Sequence, residues 1–234
     1  MKIKIAILVD GDFYLKRYRS LFKNKEGFNP FDAEQAAKDF KNFIRRHYQS
    51  TEHETRYLYR IFYYDCEPFE KRVHHPLTNK SINFKNTDVA IFRRAFFEEL
   101  KRQRKVALRL GVVKQHAAWV IRSEKTKALL KKEIEINDLR EEDVYYDLTQ
   151  KGVDMRIGLD IAALAYKRLV DRIVLISGDS DFVPTAKVAR REGIDFMLDP
   201  MWQNIDPALN EHIDGLVSAF ERPEKRNNKD KSKQ

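Results

Sequence analysis

Two short β-branched runs, each stopping on acidic residues, constrain this chain more than any other feature. Ile3 to Val9 leads straight into Asp10-Gly11, and Ile173 to Ile176, with Val170 before it, leads into Ser177-Gly178-Asp179-Ser180-Asp181. Apolar runs without polar alternation are the pattern of strands buried on both faces, as in a parallel sheet covered by helices. Folding alone gives no reason to end such a strand on carboxylates, so the acids mark a candidate site. Two further strand candidates close the same way, Arg56 to Asp65 and Ile194 to Asp199.

Between these runs the periodicity is helical. Phe13 to Phe22 predicts a first helix with Arg17 and Arg19 facing outward. Asp32 is a candidate cap for a second, carrying Ala33, Ala36, Ala37, Phe40, Phe43 and Ile44 and ending near His47. Thr87-Asp88 opens an amphipathic helix to about Arg104. Its apolar face holds Ile91, Phe92, Ala95, Phe96 and Leu100, and its basic face Arg93, Arg94, Lys101, Arg102 and Arg104. Val106 to Val113 and Ala117 to Ile121 predict short strands that could form a hairpin, and residues 123–150 are charged and helical or irregular. Residues 66–86 read as a loop or small insertion, and 207–219 as a short helix. From Arg222 to Gln234 no apolar anchor is present, so a disordered basic tail is expected beyond a single domain spanning 1–221. Strands alternating with helices predict an α/β sheet with helices on both faces, whose ligands sit beyond the strands' carboxyl ends where strand order reverses.

Composition narrows the partners. Across 234 residues, 45 Lys+Arg against 36 Asp+Glu give a net charge of +9, which favours a polyanionic partner such as nucleic acid. The one cysteine, Cys66, excludes an internal disulfide and a cysteine-built zinc site and fits a reducing compartment. The N-terminus alternates charge and apolar residues too early for a signal peptide, and no apolar run approaches the roughly 18 residues of a membrane helix. A cytoplasmic protein is expected.

If the acid-ended strands are parallel neighbours, Asp10, Asp65, Asp179 and Asp199 converge on one edge of the sheet. Asp154 and Asp160 lie on or just before the helix that feeds the strand ahead of Asp179. Carboxylates brought this close repel one another, and a hard divalent cation with oxygen ligands relieves the penalty. With no His or Cys in these motifs, Mg²⁺ or Mn²⁺ is favoured over zinc. Such a metal lowers the pKa of bound water and neutralises a phosphodiester, and the basic excess would hold the backbone.

Structural roles compete residue by residue. Asp181 stands where a helix begins and could be its N-cap; Asp154 could be a first-turn acid favoured by the helix dipole. Asp199, before Pro200, reads as a turn residue, and Asp65 is open. Asp10 and Asp179 have the weakest such explanations. Asp160 lies about 240° round an ideal helix from Asp154, so the two share a cleft only if Asp154 is at or before the helix start. Ser177 lacks a histidine base and reads as a hydrogen-bonding support. His74, His75 and His116 read as surface residues.

Three motifs together resemble the NYN domain of the PIN-like nuclease superfamily, which includes the LabA-like bacterial proteins. They are Ile-Leu-Val-Asp10-Gly; Lys151-Gly-Val-Asp154 with Leu159-Asp160-Ile-Ala; and Val174-Leu-Ile-Ser177-Gly-Asp179-Ser-Asp181-Phe-Val-Pro184. The resemblance implies a Rossmann-like α/β/α three-layer sandwich with a mainly parallel sheet, an acidic Mg²⁺ or Mn²⁺ site and ribonuclease activity. It nominates Asp10, Asp154, Asp179 and Asp181 as catalytic and metal-binding, Asp160 as a further ligand, and Ser177 and Lys151 as support. The substrate would be RNA, single-stranded or structured, with Arg93, Arg94, Lys101 and Arg102 as candidate backbone contacts, although a solvated helix face explains those four equally well. A homo-oligomer or protein partner is left open. The chain departs from the family at Phe13, where many relatives carry asparagine; Asp12 lies beside it. Two other readings remain. Asp10-Gly11-Asp12 after a strand also resembles the haloacid-dehalogenase-like phosphatases, in whose scheme the Lys-Gly-Val-Asp motif has no place, and the fold could serve as a non-catalytic RNA- or protein-binding module.

Overall fold

The computed structural model describes residues 2–113, 118–148 and 150–222. The first half runs β1 (Lys2–Asp10), α1 (Gly11–Phe22), α2 (Ala33–Tyr48), β2 (Thr55–Cys66), β3 (Arg72–His74), β4 (Ser81–Asn83), α3 (Asp88–Arg102) and β5 (Val106–Val113). It continues with β6 (Trp119–Ile121), α4 (Ser123–Leu130), β7 (Val144–Tyr146), β8 (Gln150–Lys151), α5 (Val153–Tyr166) and β9 (Arg172–Ile176). The last elements are α6 (Val183–Arg191), β10 (Asp195–Asp199), α7 (Pro207–Glu211) and β11 (Gly215–Leu216).

The strands form one sheet in the order β11-β10-β9-β1-β2-β5-β8. All pair in parallel except β8, which runs antiparallel to β5. Strand order therefore reverses between β1 and β9, at the centre of the sheet. Val9 stands opposite Ile176, so Asp10 and Ser177 leave the sheet side by side at this reversal.

The period-2 alternation of β1 divides the core. Ile3, Ile5, Ile7 and Val9 face α1, α2 and α3, where Tyr14, Phe40, Phe43 and Phe96 fill the layer. Ala6 and Leu8 face α5 and α6, against Ile157, Ile161 and Ala186. The helices form because their apolar residues recur at helical spacing and their starts are capped: Asp32 accepts from Gln35 N at 2.9 Å and Thr87 from Ala90 N at 3.3 Å. This is the three-layer α/β/α arrangement with a mainly parallel sheet. No described helix is long and apolar enough to cross a membrane.

Several local expectations are corrected. The segment 66–86 is not simply a loop but contains the antiparallel pair β3–β4. No hairpin joins β5 and β6: β5 extends the central sheet beside β2, and β6 pairs with β7. The edge of β5 is taken by β8, which arrives from farther along the chain. Arg17 and Arg19 are not outward-facing, because Arg17 donates to Met201 O at 2.6 Å and Arg19 lies over the Phe31 and Phe92 rings at 5.3 and 4.9 Å. His75 is buried, its ring 4.6 Å from Trp119 and its Nδ1 accepting from Leu77 N at 3.2 Å. His116 and the tail from residue 223 lie outside the described residues.

Asp199 is fully buried and structural. Its Oδ1 accepts from Met201 N at 2.7 Å, its Oδ2 accepts from Ala219 N at 2.9 Å, and His47 Nε2 stands 3.0 Å from that same oxygen. It ties the end of β10 to α2 and to the C-terminal segment, where Phe220 stacks on Phe43 at 4.4 Å. Asp199→Ala leaves two backbone donors without an acceptor and is expected to lower stability by about 3 kcal/mol, at ~1–3 kcal/mol per unmet buried group. Urea unfolding measures it; a loss below ~0.5 kcal/mol would mean that Asp199 is a simple turn residue.

Candidate functional site

Asp10 ends β1 and starts α1. Its backbone is extended, and its Oδ1 accepts from Phe13 N at 3.1 Å, so it is the N-cap of α1. The structural explanation for Asp10, weak in the sequence, is therefore a real one; one oxygen caps, and the second remains for other work. The Gly beside it is dictated by space: a Cβ on Gly11 would stand 2.5 Å from Tyr64 O and 2.7 Å from the Tyr63 ring. Burial raises the Asp10 carboxyl to a pKa of about 7, the Phe13 N–H opposes that, and the charges of Asp12, Asp154 and Asp65 push it further up.

After β9 the chain turns sharply through Ser177 to Asp181. Ser177 is buried, and its Oγ accepts from Asp179 N at 3.3 Å. Asp179 Oδ1 accepts from Asp181 N at 2.9 Å, capping a single 3-10 turn (Ser180–Phe182) that runs into α6 with Pro184 in its first turn. The capping acid is therefore Asp179 and not Asp181, whose carboxylate is exposed. A Cβ on Gly178 would meet Phe13 Cε2 and Gln203 Nε2, each at 2.9 Å. Phe13, the departure from the family pattern, thus closes over this turn.

Asp154 occupies the first turn of α5, just after Gly152 in the left-handed region at φ 78°. Its carboxyl is raised by burial first and then by the charges of Asp179 and Asp181, which places it opposite the β9 turn. Asp160 is not brought into this group. Its Oδ2 accepts from Tyr64 Oη at 2.7 Å and from Arg109 Nε at 3.2 Å, farther along α5 and round the helix from Asp154. Lys151 lies on β8, and its side chain is outside what the structure describes.

One flank of the site is already neutralised. Arg93 reaches from α3 to Asp65 Oδ1 at 2.5 Å and to Asp12 Oδ1 at 2.7 Å, and Lys16 meets Asp12 Oδ2 at 2.6 Å. Burial alone would raise the Asp12 carboxyl, but Lys16 and Arg93 overcome that and hold it below the usual range. Arg93 is accordingly a largely buried bridge and not an exposed backbone contact. The other three candidates are engaged too: Arg94 with Glu70 at 2.8 Å, Lys101 with Glu98 at 2.6 Å and Arg102 with Glu99 at 2.6 Å. The solvated helix face describes these three best.

Asp10, Asp12, Lys16, Ser177, Asp179 and Gln203 line one open cleft of about 420 Å³. Lys16 and Gln203 were missed from sequence; only the i,i+4 spacing of Asp12 and Lys16 gave a signal. Among the described residues no three acidic, His or Cys side chains stand together as a ready-made cage. Nevertheless Asp154 is raised by Asp179 and Asp181, and Asp10 by Asp154. Carboxylate oxygens are hard donors of the kind that suits Mg²⁺ or Mn²⁺.

The family model for the NYN domain matches residues 78–204, more than half of the chain, a span that contains Asp154, Asp179 and Asp181 but begins after Asp10. No curated protein matches. Among solved structures, the chain is similar to a crystal structure of a protein of unknown function from Vibrio parahaemolyticus, with 18% identity, a TM-score of 0.45 and 92% of each chain covered. The central motifs, the sheet and the matched span together establish that the chain belongs to the NYN domain family, within the PIN-like superfamily of nuclease-like folds.

Proposed function

We propose that the protein is a Mg²⁺- or Mn²⁺-dependent endoribonuclease that hydrolyses RNA phosphodiester bonds at the reversal point of its sheet. The observation that supports this reading is the meeting of Asp10 and Asp179 in one cleft at that point, with the charges of Asp179 and Asp181 adding to burial in raising the Asp154 carboxyl. These four would hold the metal. When bound, it would neutralise the scissile phosphodiester and lower the pKa of a bound water.

The chain's own groups divide the remaining work. Ser177 Oγ holds the backbone of Asp179, and the Asp179 cap fixes the turn that presents Asp181. Asp181, free of the capping role and exposed, is placed to accept a proton from water. Lys16 extends from α1 into the cleft lined by Asp10 and Asp179 and can meet a phosphate oxygen. The haloacid-dehalogenase-like alternative is disfavoured by Asp12, because an acid held below the usual range by Lys16 and Arg93 is a poor proton donor. Residues 1–221 form the unit on this reading, with 66–86 as an insertion.

Asp179→Asn is expected to abolish cleavage of labelled RNA in Mn²⁺. Ser177→Ala, which disturbs a residue behind the ligand, should reduce it about 10–100-fold. Cleavage that persists in EDTA, or phosphomonoester turnover lost in Asp12→Asn, would overturn the assignment.

Asp10 gives a pH dependence. Metal binding requires its carboxylate, so activity should climb as pH rises through about 7. For the metal-free fold the sign is opposite. The raised carboxyl contributes stability that is full below its unfolded value of 3.8 and lost as pH rises through about 7. At pH 8 in EDTA, Asp10→Asn keeps the cap and should melt higher, by about 2–4 °C per kcal/mol relieved, with the gain reversed when Mn²⁺ is added to the wild type. An Asn variant that melts lower in EDTA would show that Asp10 is not strained by charge.

A further inference from the structure

A second cavity, of about 610 Å³, adjoins the acidic cleft and shares Asp12 and Lys16 with it. Beside α1 and the start of α3, its walls take aromatic rings from two segments far apart in sequence: Phe69 and Phe84 flank the β3–β4 pair, while Tyr145 and Tyr146 lie on β7. Phe69, Phe84 and Tyr146 pack in a triangle with centroids 5.3, 5.5 and 5.6 Å apart. Tyr145 is 43% exposed, with the Arg122 guanidinium 5.7 Å from its ring centre. The ring faces not used in this packing border a cavity that is large for a void left by a small core and within the range of ligand sites.

From this arrangement we infer that the cavity is a base-binding subsite, which holds an unstacked nucleobase of single-stranded RNA beside the bond to be cleaved. The inference rests on the ribonuclease reading and adds the form of substrate to it. Aromatic side chains bind unpaired bases of any sequence by stacking, whereas the bases of a duplex are unavailable to them. The charges around the cavity select the base over the phosphate. Asp12 in its wall is already paired with Lys16 and Arg93, so the exposed Glu67 carboxylate is the group that disfavours an anion and accepts from the N–H donors on a base edge. Lys16, on the boundary between the two cavities, is where the phosphate of that nucleotide belongs. The sharing of Asp12 and Lys16 puts base and phosphodiester in adjoining compartments of one site.

The full-length protein is mixed in EDTA with a short single-stranded oligoribonucleotide carrying one 2-aminopurine, and fluorescence and affinity are read together. Wild type should quench the 2-aminopurine by stacking, and should bind a matching strand with an abasic site, or the same sequence as a duplex, more weakly. Tyr145→Ala, exposed enough to leave the fold intact, should lose the quench and weaken binding about 5–150-fold, the range of one stacked base. Phe84→Leu is a second arm, with circular dichroism to confirm folding. Equal affinity for single strand, duplex and abasic strand, or no effect of either variant, would overturn the subsite. A protein that quenches normally in EDTA but cleaves no RNA in any metal would overturn the nuclease reading and leave the subsite standing.

Discussion

Repulsion between carboxylates at the centre of the sheet is the constraint around which this structure is arranged. Parallel strands bring Asp10 and the Ser177–Asp181 turn to one point, and α5 adds Asp154 from the side. The fold handles the resulting charge in two ways. On the α3 side, Arg93 and Lys16 pair with Asp65 and Asp12. On the α5 side, Asp179 and Asp181 add to burial in raising the Asp154 carboxyl, with no ion pair to these three acids among the described residues, and Asp10 between the two groups is raised to about 7, first by burial and then by neighbouring charges. On the proposed reading, the internal cations leave an external cation to Asp10, Asp154, Asp179 and Asp181.

Helix capping and the proposed metal site draw on the same carboxylates. Asp10 and Asp179 each give one carboxylate oxygen to a backbone N–H at the start of a helical turn. This fixes the carboxylates in direction before any ligand arrives, which is how a site achieves the preorganisation that electrostatic stabilisation requires. Gly11 and Gly178 make the arrangement possible, since each lets another part of the chain approach to a distance that a Cβ would block.

The parallel core and most of its helices were legible in sequence because periodicity is a local signal: β1, β2, β9 and β10 each announced themselves as apolar runs, and α2 and α3 through spacing and caps. The convergence of Asp10 with Asp179 followed from topology. What could not be read were pairings that depend on distance in sequence. β6 looked like the partner of β5 by proximity, yet its register is with β7. Two-residue strands such as β11 carry no period at all. Arg93 looked like part of a basic helix face, and only the position of Asp65 and Asp12 across the gap turns it inward. Asp160 was a plausible ligand by motif, but Tyr64 and Arg109 engage it elsewhere.

The two chain excursions that leave the sheet, one between β2 and α3 and one between β5 and α5, meet through rings: Phe69 and Phe84 from the first rest against Tyr146 from the second. Neither excursion supplies any of the four coupled acids. On the proposed reading, recognition and chemistry are therefore carried by separable parts of the chain. Natural variation in length or ring content of the excursions can reshape what the protein holds beside its acidic centre while the strands that set the carboxylates stay fixed, a division that lets one scaffold acquire new preferences without rebuilding its reactive core.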